Sequence, residues 1–196
     1  MPITRLLIIF AFPLILGGCV VGQDISMDYS GRTVAVDEAN TVRVAVADER
    51  PFIKNGDKDP WYIGKYRAGF GNPWDVTTEN DVPLAEVVAD DLADALREEG
   101  FATVTSAESR VLDVKIDDWN FDGYQNGRFW YDLDVTVYTG DGRTVANERF
   151  ADEIVIKGTL LSGAKGGFER DMPGIYREIV AAVVTDNEIL SALRGN

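Results

Sequence analysis

The sequence predicts an α+β fold, a mostly antiparallel sheet with two helices packed on one face, in the order β-α-β-β-β-β-α. Three stretches alternate apolar and polar residues with period two, two others space apolar residues as a helix does, and turn residues separate them. Sheet and helix each expose one apolar face, so the economical arrangement is helices laid on the sheet.

The first strand is Thr41–Asp48, with Val42, Val44 and Val46 facing one way against Thr41, Arg43, Ala45 and Ala47. Asp48 and Arg50 at its end project to the same side and read as a structural pair or loop cap, not as catalysts. Glu49 to Asp81 is expected to be irregular, since it holds Pro51, Pro60, Pro73 and glycines 56, 64, 69 and 71. Loops of that length are usually functional or disordered. The aromatics Phe52, Trp61, Tyr62, Tyr66, Phe70 and Trp74 argue against disorder. Trp61, Tyr62 and Trp74 are the candidate partner-binding residues, with a local aromatic mini-core as the alternative.

Asn80-Asp81-Val82-Pro83 predicts a helix start with a capping side chain and proline in the first turn. Leu84, Val87, Val88, Leu92, Ala95 and Leu96 form its apolar stripe, Asp90 and Glu98 lie outside it, and Gly100 ends it. Short strand Phe101–Thr105 follows, then Val111–Asp118 and Phe129–Tyr138, both alternating. Gly140-Asp141-Gly142 predicts a hairpin turn into a long strand from Arg143 towards Lys157. The glycine-rich run Gly158–Gly167 reads as a flexible connection to a last helix bearing Ile175, Ile179, Val180, Val183, Val184 and Leu190.

Residues 1–18 read as an export signal. Arg5 precedes an apolar stretch from Leu6 to Leu16, and Leu16-Gly17-Gly18 stands directly before Cys19, the sole cysteine. This matches a bacterial lipobox: cleavage between Gly18 and Cys19, with diacylglycerol on the thiol and an acyl chain such as palmitate on the new N-terminus. Residues 19–40 are then the lipidated N-terminus and tether, and 41–196 a single periplasmic domain. With no Asp after Cys19, the expected address is the periplasmic face of the outer membrane of a Gram-negative cell envelope.

The chain carries 19 Lys and Arg against 33 Asp and Glu, a net charge of −14. That argues against nucleic acid, which needs clustered cations. There is no histidine, so Ser-His-Asp and Cys-His nucleophiles and His-bound zinc are absent. Neither a metal nor a cofactor is expected. Carboxylate pairs remain, Asp117 with Asp118 and Asp132 with Asp134, but the second pair alternates with apolar residues and reads as a solvated face. Asn55–Asp59 lacks the spacing of a calcium loop. Gly158 to Gly163 lacks the Lys-Ser/Thr of a phosphate loop.

The lipobox at Cys19, the valine-rich strand running into Asp48-Glu49-Arg50, Ile63-Gly64 downstream, and the helix ending at Gly100-Phe101 together resemble the YajG-like family of bacterial outer-membrane lipoproteins. The resemblance implies location and fold more than activity. The expected function is a membrane-anchored, non-enzymatic interaction or envelope-assembly module whose partner is an envelope protein or peptidoglycan. The alternative is a carboxylate-dependent cell-wall glycan hydrolase.

Overall fold

The computed structural model describes residues 24–27, 29, 31, 37–67, 73–106, 109–159 and 163–195. The export signal, Gly18 and Cys19 lie outside them. In chain order the elements are β1 (Asp24–Ile25), β2 (Asp37–Asp48), α1 (Pro51–Lys54), β3 (Tyr62–Arg67), β4 (Pro73–Thr78), α2 (Leu84–Glu98), β5 (Phe101–Thr103), β6 (Arg110–Gly123), β7 (Gly127–Tyr138), β8 (Thr144–Ile156), α3 (Gly163–Thr185) and α4 (Asn187–Arg194).

All eight strands join one sheet, which is mixed rather than mostly antiparallel. The pairs β1–β4, β2–β5, β2–β6 and β3–β6 are parallel; β3–β4, β6–β7 and β7–β8 are antiparallel. The parallel pairs follow from connectivity. The chain leaves β2 and returns through α2, and a helical crossover brings it back to the end where it began. β6 is the spine. Along one edge its first half pairs with β2, from Val42↔Arg110 to Asp48↔Ile116, and its far end pairs with β3 at Gly64↔Phe121. Its other edge pairs with β7 throughout.

Three helices, α2, α3 and α4, cover the inner face rather than two. The long last helix expected from the spacing is broken at Asp186, whose carboxylate accepts the Glu188 and Ile189 amides at 2.9 and 3.0 Å and so starts α4. Ile189 rather than Leu190 is its buried anchor. α2 buries Leu84, Val88, Leu92, Ala95 and Leu96, as the stripe predicts. Its start differs from expectation: residues 79–81 form a separate 3-10 turn with positive φ at Asn80 and Asp81, and no side chain caps the helix. The Leu84 amide instead donates to the Pro60 carbonyl at 3.0 Å, tying α2 to the turn before β3.

The segment expected as a tether also contributes structure. Asp24–Ile25 pairs with β4, Ile25 and Met27 are buried, and the Tyr29 hydroxyl donates to Glu98 Oε2 at 2.8 Å. Apolar side chains at 25 and 27 outweigh the polar composition around them. Glu98 therefore has a partner that its place outside the stripe did not suggest.

Candidate functional site

The stretch from Glu49 to Asp81 is not a long irregular loop. It contains α1 and the β3–β4 hairpin, and Tyr62, Ile63 and Val76 are core residues. Arg50 explains why this stretch folds. Its side chain is fully buried beside β6, between the end of β2 pairing and the start of β3 pairing. Nε donates to Asp48 Oδ1 at 2.8 Å, and the two terminal nitrogens reach Asp48 Oδ2 (2.6 Å) and the carbonyls of Tyr62 (2.6 Å), Trp119 (3.1 Å) and Pro60 (3.4 Å). A guanidinium has five N–H donors, and all five are used. Arg50 thus bridges the sheet edge where no neighbouring strand can. The pairing of Asp48 with Arg50 and the capping of the adjacent segment both occur.

Tyr62 is locked into the same junction. Phe52 meets it edge-on at 5.5 Å between ring centroids, the Lys58 ammonium sits 4.8 Å over its ring, and the Arg50 guanidinium lies 5.2 Å over Phe52. Burial first, then the charges of Asp75 and Asp122, push the Tyr62 hydroxyl up to about 12, against a smaller lowering by Arg50. Of the three candidate residues, Tyr62 is buried, Trp61 is half-buried, and Trp74 is 40% exposed. They do not form one surface.

A different set of residues does. On the outer face of the sheet, at the end where β6 turns into β7, an open groove of about 800 Å³ is lined by Arg67, Asp122, Tyr124, Arg128, Trp130 and Glu153, among others. Trp130 forms its wall, with Nε1 donating to Asp118 Oδ2 at 2.8 Å, which fixes the ring. Asp118 also accepts the Trp119 amide at 2.8 Å, so this carboxylate is a structural brace. Arg67 grips Asp122 with two nitrogens at 2.6 and 3.0 Å, and Arg128 pairs with Glu153 at 3.1 Å. The groove therefore offers one fixed indole, the exposed Tyr124 ring, and two cation–carboxylate pairs. It can stack against a ligand and hydrogen-bond it. Its carboxylates, Asp122 and Glu153, are both engaged by arginine. One signal for it stood in the sequence: Trp130 sits between Arg128 and Asp132 on the polar side of an alternating strand, where an indole has no core to fill.

Glycines let the aromatic core approach this end. Gly64 crosses β6 so closely that a Cβ would lie 2.5 Å from the Phe121 carbonyl oxygen. In the glycine-rich run, a Cβ on Gly158 would lie 1.7 Å from the Gln125 carbonyl oxygen, and one on Gly167 would lie 2.2 Å from that of Lys157. These glycines serve close packing under the β6–β7 turn rather than flexibility. The stacked pair Phe121–Phe168, 4.1 Å apart, locks α3 beneath it.

The second carboxylate pair lies elsewhere. Asp132 accepts Arg149 Nε at 2.7 Å and Asp134 accepts Asn147 Nδ2 at 2.7 Å, making a polar ladder between β7 and β8. Neither lines the groove. Asn55–Asp59 is the turn that leaves α1, with Lys58 paired to Asp75. Among the described residues no group of three or more potential metal ligands comes together.

No family model matches the chain, and no curated protein does. Solved structures do. A Xanthomonas campestris protein of the DUF330 family is 14% identical with a TM-score of 0.50, over 82% of this chain and 90% of that one. The PelC dodecamer from Paraburkholderia phytofirmans is 13% identical with a TM-score of 0.43, over 84% and 95%. A candidate lipoprotein from Caulobacter crescentus is 10% identical with a TM-score of 0.38, over 57% and 81%. The first of these supports a shared fold and nothing further. No described helix is long and apolar enough to cross a membrane.

Proposed function

We propose that this chain is a non-enzymatic interaction module of the bacterial envelope, held at the periplasmic face of the outer membrane by lipid on Cys19 and working through the groove end of its sheet. The reading stands beside the YajG-like resemblance of the sequence. The observation that carries it is the groove itself: a fixed Trp130 and the Arg67–Asp122 and Arg128–Glu153 pairs, set on rigid strands and open to solvent. A site with fixed stacking and hydrogen-bonding groups, its carboxylates held in ion pairs with arginine, is suited to holding a ligand.

A photo-crosslinking residue at Tyr124 or Arg128, expressed in intact cells, should capture an envelope component that the same residue at Val145 does not. Equal capture at both ends would refute the site. Cys19→Ser should abolish palmitate labelling and leave unprocessed precursor; normal processing of that variant would refute the anchor. Turnover of purified peptidoglycan that is lost on replacing Asp132 or Asp134 would establish the hydrolase alternative instead.

A further inference from the structure

We infer that the groove end of the sheet is seated on the headgroup layer of a phospholipid bilayer, so that the partner at this end is the membrane surface itself. The inference rests on the lipid anchor at Cys19 proposed above, and it begins with chain reach.

β1 fixes the chain only five residues after Cys19, because Asp24 pairs with Thr77 of β4. Five residues span at most about 18 Å. Thr77 lies three residues along β4 from Trp74, which is about 10 Å at ~3.3 Å per residue. Thr77 also pairs with Tyr62, which stands level with Trp119 of β6, and from there to Val111 at the other end is eight residues, about 26 Å. The anchor can therefore bring the Trp74 end to the lipid and cannot bring the Val111 end. β1 runs parallel to β4, so Asp24 stands nearer the Trp74 end than Ile25 does.

The surface at that end fits an interface. Among the described residues the exposed large hydrophobics are Trp74, Tyr124, Val145 and Val155. Three of them fall in neighbouring rows across the sheet. Trp74 pairs with Tyr66, which pairs with Gly123, the residue before Tyr124; Val155 pairs with Arg128, which pairs with Asp122. Trp and Tyr favour the headgroup region, where one part of the ring is apolar and another is wet.

Charge agrees. Lys65, Arg67, Arg128 and Lys157 stand in or beside these rows against Asp75, Asp122 and Glu153, so this end escapes the excess acidity of a chain of net charge −14. Anionic lipid would accept that surface.

The test uses the full lipidated protein in vesicles of phosphatidylethanolamine and phosphatidylglycerol, recovered by flotation. Nitroxide labels go on Tyr124→Cys, Val155→Cys or Val145→Cys, all at exposed positions that spare the fold. Collisions with oxygen report lipid, and collisions with a water-soluble nickel chelate report solvent. Labels at 124 and 155 should lose access to the chelate and gain it for oxygen, whereas the label at 145 should stay in water. Three labels equally open to the chelate on floated vesicles would overturn the inference while leaving the anchor intact. Shielding of 145 alone would overturn it by reversing the orientation. Protein that does not float at all would refute the anchor, and the inference with it.

Discussion

Removing the Arg50 guanidinium should be among the most damaging single changes in this fold. Arg50→Met keeps much of the apolar stem but deletes five donors. It leaves Asp48 beside an uncompensated space and strands the carbonyls of Tyr62, Trp119 and Pro60, which have no strand neighbour at that edge. Each stranded buried acceptor costs about 1–3 kcal/mol. Breaking a buried ion pair by removing one partner costs about 3–5 kcal/mol. The terms share one site and do not add, so the expected loss is about 3–5 kcal/mol. With a urea slope of roughly 2 kcal/mol/M, the unfolding midpoint should fall by about 2 M. Arg50→Lys should recover little, because an ammonium cannot place a planar fork on a carboxylate and three carbonyls at once. Asp48→Asn should cost less than Arg50→Met, since an amide still offers an acceptor while the carbonyl contacts persist. A loss below about 1 kcal/mol for Arg50→Met, or full rescue by lysine, would refute the role given to the fork.

The other expected outcomes concern packing and titration. Leu92→Ala should cost about 2–5 kcal/mol, and Asp90→Ala should stay within about 0.5 kcal/mol; equal small effects in denaturant titrations would remove the α2 assignment. Gly167→Ala should destabilise by about 1–3 kcal/mol, because its Cβ meets the Lys157 carbonyl oxygen; an unchanged thermal midpoint would show that α3 can slide. Tyr62 and Tyr29 are both pushed up to about 12, mainly by burial, with Asp75 and Asp122 adding at Tyr62 and the Glu98 hydrogen bond at Tyr29. Their folded values lie above the ordinary value near 10, so their stabilising effect is complete below pH 10 and is lost as pH rises through about 12. Thermal midpoints followed by circular dichroism should drop across that window, and Tyr62→Phe should flatten the drop; an identical slope in the variant would contradict it.

Where one segment writes its own periodicity, the sequence was sufficient. The stripe of α2 with Leu92 and Val88, the alternation of β6 and β7, the turn at Gly140–Gly142 and the pairing of Asp48 with Arg50 all depend on residues near each other in the chain. The absence of histidine likewise limited the chemistry before any fold was known. The β3–β4 hairpin was hidden because its core residues, Tyr62, Ile63 and Val76, are few and separated by proline and glycine. Only contacts with β6, Arg50 and the Pro60 carbonyl make that stretch a strand pair. Strand direction was hidden for a related reason: alternation reports which face is apolar and not which strand lies beside which, so four parallel pairings were invisible. The glycine-rich run looked mobile because composition cannot show the Gln125 and Lys157 carbonyls pressing on Gly158 and Gly167. Apart from the misplaced indole of Trp130, the groove belongs to tertiary structure. Arg67, Asp122, Arg128, Trp130 and Glu153 come from four different strands, and only the register of those strands through β6 brings them to one end.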